Sequence, residues 1–475
     1  MKHLTERIVA AMFVIAALSF QSCKKDDGYS FLLVERGAFV DAPGERTSVG
    51  FTSTNIVSVS ATTVPQGWTI TPDMSDRRIY VTAPTTFDTD TDDEEANVRY
   101  GTAIVTGYSS SGSGVAVSLY VSIAEAEDLT DERSNCYIID RSNGRYCIDV
   151  TRQGENGQTI EPASVAILWE TPYKVIEYPK LVDGKAYFFH AVGTDDDGEE
   201  YFVNGNAVLG AFDSAGTLLW SWHLWCAEFD PDEEQTELGG EVAMLRNLGA
   251  GAISGTSEED ILASYGLYYQ WGRKEPFVGP AYYNMADSAD AAIYDSQNLR
   301  VYIDYTGSND ESGTIGYARK NALTYVTGVK DTDYNWLQAA DTSLWGEQKT
   351  VNDPCPKGWK IPTKEFFAAL SIKDAIEPEL ASAYGFTLTD GVHDAFFPGA
   401  GRRSFYTGAL TNMNDNQTRP APWIGCYWSA TGEGRRAYAM DFSFDIYGTR
   451  AGSSFQGAAL QYAAGGMQIR CVKIR

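Results

Sequence analysis

The chain has 475 residues, 43% of them apolar, too many for one hydrophobic core and enough for about two to four domains of ordinary size. Its formal charge is -27, from 37 basic and 64 acidic residues, which argues against a nucleic-acid partner because a phosphate-binding surface needs a basic patch. Clustered acid at 88–95, 195–200 and 228–234 reads as solvated loops. Asp88, Asp90 and Asp92 have the spacing of a calcium loop but lack its glycine and its closing glutamate, so no metal site is expected.

At the N-terminus, a basic start precedes an apolar run from Ile8 to Phe20, too short to span a bilayer and suited to a signal-peptide core. Ser22-Cys23 follows, then "KKDD". The phrase resembles a bacterial lipoprotein signal, as in surface lipoproteins of Bacteroidetes. That resemblance implies removal of 1–22, lipidation of Cys23, a tether over 23–30 and attachment to the outer membrane through lipid, on its extracellular side.

Residues 31–125 carry short alternating runs such as "NIVSVSA", "RRIYVTAP", "GTAIVTGY" and "GVAVSLYVSI", the pattern of half-buried strands. They predict an Ig-like β-sandwich, similar to BACON-type modules, with Trp68 as a core anchor and a hairpin tip in "YSSSGSGVAV". A polar boundary at 124–135 leads into a second run of strands, predicted as a separate β-sandwich over 130–235. Its Trp220, Trp222 and Trp225 suggest a sheet face packed on a neighbour.

From 238 the texture changes to short apolar phrases between glycine-rich loops. Five phrases occur in order: Arg246-Asn247-Leu248-Gly249, Tyr269 to Arg273, Cys355-Pro356-x-Gly358-Trp359 with Pro362-Thr363, Tyr427-Trp428-Ser429, and Arg470 to Lys473. Together they resemble the major paralogous (FISUMP) domain described from Fibrobacter and widespread in Bacteroidetes lipoproteins. The resemblance covers about half of the chain. It implies a mixed α+β, C-type-lectin-like domain over 238–475, in which a helix and the terminal strand are tied by a disulfide, here Cys355 to Cys471. The whole chain then reads as multidomain: two all-β modules followed by an α+β domain. Thr363 is the expected N-cap of a helix with Phe366 and Phe367 turned inward, and "MQIRCVKI" the expected strand, with Met467, Ile469, Cys471 and Lys473 on one face.

With that pair assigned, Cys136 and Cys147, which bracket a Ser-Asn-Gly turn, are placed to bond each other, leaving Cys226 for Cys426. The alternative is that these four are free and buried.

Chemistry is harder to find. No GxSxG, HExxH or phosphate-cradling glycine loop is present, and no zinc spacing occurs. His190 and His223 sit in strand patterns as structural residues. His393, flanked by Asp390 and Asp394, is the best lone base or ligand but has no nucleophile beside it. No enzyme and no cofactor is expected. Trp271, Trp345, Trp359 and Trp428 read as core. Aromatic residues make up 13% of the chain, and many stand in loops beside amides and acids. Tyr282, Tyr283, Trp336, Tyr406, Asn412, Asn414, Asp415 and Asn416 are the candidate ligand-binding residues, since sugar or peptide recognition needs apolar contact with directional hydrogen bonds. The calcium-dependent sugar-binding phrases of true C-type lectins are missing, so "lectin" here means shape alone. The expected role is surface adhesion or capture of a glycan or a host or matrix protein, with a fimbrial tip or accessory subunit as one version. A glycan-uptake lipoprotein and a structural assembly subunit contacting other surface subunits are the alternatives.

Overall fold

The computed structural model describes residues 28–87, 97–142, 144–282, 289–373, 385–411, 423–444 and 454–475. The leader, Cys23, the aspartates at 88, 90 and 92, Tyr283 and the four candidates from Asn412 to Asn416 lie outside these residues. The chain divides into two compact units, Met1–Ala126 and Glu127–Arg475, and its described residues are mostly β.

The first unit contains β1 (Ser30–Leu33), β2 (Gly37–Val40), β3 (Arg46–Thr54), β4 (Ile56–Thr63), β5 (Thr69–Asp73), β6 (Arg78–Thr82), β7 (Tyr100–Ser109) and β8 (Gly114–Ile123). They form two four-stranded sheets, in the orders β1-β3-β6-β5 and β2-β8-β7-β4. Period-2 alternation explains why they face each other. Phe31, Val49, Phe51, Ile79 and Val81 line one inner face, and Ala38, Ala103, Val105, Leu119 and Val121 line the other, in a single buried cluster. Trp68 is part of that cluster, and its indole N–H donates to the Val98 carbonyl at 2.9 Å. The predicted tip closes β7 to β8 through the Ser109 N–H on the Ser113 carbonyl, with Gly112 at φ 81°.

The second unit is built on a six-stranded sheet in the spatial order Cys136–Ile139, Leu218–Cys226, Gly205–Phe212, Ser164–Thr171, Ile293–Tyr294, Arg300–Val301. Alternation along Leu218–Cys226 sends side chains to two buried faces. Trp220, Trp222, Leu224 and Cys226 pack with Ile139, Leu209, Tyr146, Ile148 and Phe188 on one side. Trp225 packs on the other, with Cys136, Trp169 and Val208, in the cluster that also holds Trp271, Trp336, Trp359, Cys355 and Cys471. The expected junction at 235–238 therefore falls inside one unit. Its central strands, Gly205–Phe212 and Leu218–Cys226, are buried on both faces and leave no free side to end a domain on.

The phrases after 238 are wired to one another. Arg470 is fully buried, and its guanidinium donates to Asn247 Oδ1 and to the carbonyls of Met244, Leu245 and Phe396 at 2.7–3.2 Å. Asn247 Nδ2 donates to the Tyr427 hydroxyl and the Tyr265 carbonyl. Trp428 Nε1 donates to the Tyr269 carbonyl, and Trp271 Nε1 to that of Ser429. Trp271, Trp345, Trp359 and Trp428 are all core residues. Cys355 is bonded to Cys471. Beside that bond, Trp359–Lys360 pairs antiparallel with Val472–Lys473.

Three local expectations are corrected. Cys136, Cys147, Cys226 and Cys426 are free and buried, as in the alternative reading. Cys136 and Cys147 cannot meet, because their strands join different sheets: Cys136 opposes His223, whereas Cys147 opposes Tyr187. Cys226 and Cys426 belong to separate cores. The helix Lys364–Ala368 does bury Phe366 and Phe367, but Thr363 makes no side-chain cap bond. Instead Thr431 Oγ1 accepts the Lys364 N–H at 3.1 Å. Finally, "MQIRCVKI" is not one alternating strand. Only Gly466–Met467 and Val472–Lys473 are strand, and everything from Met467 to Val472 is buried on all sides.

Candidate binding surface

Two places first test for chemistry. A cleft of about 540 Å³ is lined by residues that include Glu237, Glu241, Asp390, His393 and Arg475. Asp390 is spent on structure, accepting the N–H groups of Val392, His393 and Gly239 at 2.8–3.0 Å. Those donors hold its carboxyl down at about 2, so it stays an anion. His393 Nδ1 stands 3.7 Å from it. No Ser, Thr or Cys is among the described residues that line this cleft, and Asp394 is paired with Lys373. Among the described residues, no group of three or more His, Cys, Asp and Glu is placed to hold a metal ion.

The second place is an alignment that sequence reading missed. Cys136 Sγ lies 3.3 Å from His223 Nδ1, and His223 Nε2 lies 2.8 Å from Asn206 Oδ1. This is the order of groups in a thiol hydrolase. All three are buried in the core. Burial drives the imidazole down to about 3 and raises the thiol far above its ordinary value, so neither group ionises near neutrality. His223 and His190 are hydrogen-bonded structural residues, His190 through the Val203 carbonyl at 3.0 Å.

The remaining distinctive surface is aromatic. A helical turn, Lys330–Thr332, ends in two successive left-handed residues, Asp333 (φ 52°) and Tyr334 (φ 53°). For side chains other than glycine this conformation costs energy and persists only when surroundings enforce it. Here they do. Tyr334 N–H donates to Val329, its carbonyl accepts from Ala464, and Gly328 N–H donates to Phe405 at 2.8 Å. Gly328 is needed for this approach, since a Cβ there would meet the Tyr334 backbone at 2.6 Å.

The fixed turn sets Tyr334 among three rings: Phe405 at 5.0 Å, Tyr462 at 5.0 Å and Tyr406 at 6.3 Å between centroids, all edge-on. Arg436 lies 4.5 Å over the Tyr462 ring and grips Asp333 through two bonds of 2.6 and 2.9 Å. The same 403–408 loop carries a second group. Arg403, fully buried, donates to Asp290 Oδ1 at 2.7 Å and to the carbonyls of Val278 and Gly408, while the Tyr305 hydroxyl donates to Asp290 Oδ2. Gly408, at φ 76°, lets Tyr305 close in.

Of the ligand-binding candidates, Tyr406 stands in this cluster and is 64% exposed. Tyr282 is also well exposed, next to the Ala281–Ala289 backbone bond that leads to Asp290. Trp336 is corrected: it is fully buried, with its indole N–H on the Trp271 carbonyl at 2.8 Å, and belongs to the core. Tyr334, Phe405, Tyr462, Asp333 and Arg436 were not legible as a site. The residues come from separate stretches, and only the positive φ pair marks them.

No family model matches the chain, and no curated protein matches it. Solved structures similar to parts of it include the D00-D0 domain of Intimin (11% identity, 41% of this chain and 96% of that one, TM-score 0.17). Another is SGBP-B of the Bacteroides ovatus mixed-linkage glucan utilization locus, in complex with mixed-linkage heptasaccharide (10% identity, 42% and 45%, TM-score 0.14). A third is the N-terminal Ig1-2 module of the Drosophila receptor protein tyrosine phosphatase DLAR (12% identity, 42% and 98%, TM-score 0.16). At such TM-scores these likenesses carry no argument. The chain is a multidomain, mostly β protein with loop-borne aromatic and charged groups on its second unit.

Proposed function

We propose that this chain is a lipid-anchored surface protein that binds a ligand without transforming it, through the loops of its second unit. The observation that carries this reading is the fixed cluster of Tyr334, Phe405, Tyr406 and Tyr462 beside the Asp333–Arg436 pair. Such a surface offers contact area and directional bonds together, which is what recognition needs. The sealed thiol–imidazole pair supports binding over catalysis. The leader and Cys23 support lipid attachment at the outer membrane, and the five ordered phrases support a lectin-like shape for the C-terminal half. Adhesion, at a fimbrial tip or as an accessory subunit, is the role that these features serve together.

The test uses a Gram-negative host carrying the full chain. Intact cells are expected to expose it to added protease, to incorporate labelled palmitate into it but not into the Cys23→Ala form, and to adhere to surfaces coated with mucin or matrix protein. Equal adhesion by cells with and without the chain would remove the binding role, and equal palmitate labelling of Cys23→Ala would remove the lipid anchor.

A further inference from the structure

We infer that the Tyr334–Tyr406 cluster is a subsite for a neutral hexopyranose unit of a polysaccharide. The inference rests on the proposed function and names the chemistry of its ligand. Three observations lead to it.

The platform is fixed before any ligand arrives. Asp333 and Tyr334 hold a conformation that a free loop would leave, and three backbone bonds, from Gly328, Tyr334 and Ala464, keep it there. A weak ligand such as a sugar gains most from a site whose ordering is already complete. The rings also retain bonding capacity. Tyr406 is 64% exposed and is held by its backbone N–H on Ser404 Oγ at 3.2 Å, which leaves its ring and hydroxyl to meet a ligand. A pyranose presents an apolar C–H face to a ring and hydroxyls at its edge, matching both halves of a tyrosine.

Charge decides between partners. The Asp333–Arg436 pair is part-exposed, with side chains 42% and 35% accessible, and sits against the Tyr462 ring in the middle of the aromatic group. An apolar protein face would have to strip water from both ions, which costs more than their mutual attraction returns. Sugar hydroxyls replace that water, donating to the carboxylate and accepting from the guanidinium. The charges of the pair cancel, and Arg435, a further cation acting on Asp333, is turned to the Gln338 carbonyl at 3.2 Å, so the occupant is neutral and not a uronate or sulfated chain.

The experiment is native affinity electrophoresis of the full chain in gels containing laminarin, xyloglucan, galactomannan or yeast mannan, with polygalacturonate as the acidic arm. A parallel arm measures capture on fibronectin- and collagen-coated surfaces. Retardation by at least one neutral polysaccharide is expected. Tyr406→Ala, on an exposed loop, and Asp333→Asn, which tolerates the left-handed backbone, should each weaken it by roughly tenfold with an unchanged melting temperature. Retardation by no neutral gel, by polygalacturonate alone, or as strong in both variants as in the parent overturns the inference. Capture of fibronectin or collagen that needs Tyr406, without polysaccharide retardation, overturns the sugar and leaves the surface reading standing. Indifference of Tyr406→Ala in both arms removes both.

Discussion

At the scale of residues, the acidic chain hides several cations. Arg273, Arg403 and Arg470 are fully buried, and Arg470 has neutral partners: a side-chain amide, three carbonyls and the Phe397 ring at 4.3 Å. A guanidinium can do this because its planar fork meets several acceptors at once. Arg273 and Arg470 lie in phrases that stand out in the sequence, so those phrases mark scaffold and not site. His223 makes the residue-scale prediction. Buried and neutral, it titrates at about 3, against 6.5 in the unfolded chain. As pH falls below 6.5 the unfolded state takes up a proton that the fold refuses, so stability drops by about 1.4 kcal/mol per unit. Glu170 works in the opposite sense. Burial raises it to about 7 from 4.5, so between those values the fold keeps a proton that the unfolded chain releases, and acidification stabilises. Replacing His223 with Gln therefore unmasks the carboxyl. Measured by urea unfolding, the change in stability from pH 7 to pH 5 should be about 2 kcal/mol more favourable in the variant than in the parent. An unaltered pH slope would mean that the imidazole is not buried neutral.

At the scale of elements, the long-range tie between Cys355 and Cys471 spans 116 positions. It stabilises chiefly by restricting the unfolded chain, and losing it should cost about 2–5 kcal/mol. The resemblance through the ordered phrases anticipated that tie. The other pairings failed because nearness across a turn does not decide which sheet a strand joins. Cys136 leaves its neighbour strand to run parallel beside Leu218–Cys226, a partnership of distant residues. Alkylation separates the alternatives. Native protein should take up no iodoacetamide at Cys136, Cys147, Cys226 or Cys426. On unfolding all four should react, while Cys355 and Cys471 stay protected until reduced. Protection of Cys136 and Cys147 in the unfolded, unreduced chain would restore the local disulfide.

At the scale of the molecule, the burial of both faces of the central strands Gly205–Phe212 and Leu218–Cys226 has a consequence for dissection. A fragment starting at Glu127 keeps the whole cluster in which Cys136, Trp169, Val208 and Trp225 meet Trp271, Trp336 and Trp428, and should unfold in one cooperative step. One starting at 238 loses the sheet beneath those tryptophans. It should be aggregated or show exposed apolar surface by dye binding. Cooperative unfolding of the shorter fragment with native near-ultraviolet dichroism would establish the boundary that the change of texture suggested.

The amino-acid pattern alone determined what depends on neighbours along the chain. That includes the alternation that builds the first unit, the core roles of Trp68 and the motif tryptophans, and the inward turn of Phe366 and Phe367. Local periodicity decides which face of an element is apolar, and that information is complete within a few residues. Only the tertiary structure decided what covers each face. It made Trp220 and Trp225 part of two different cores, sealed Cys136 and His223 away from any substrate, moved Trp336 from surface to interior, and gathered Tyr334, Tyr406 and Tyr462 onto one surface. Such outcomes depend on contacts between distant segments, which no periodicity within a single segment encodes.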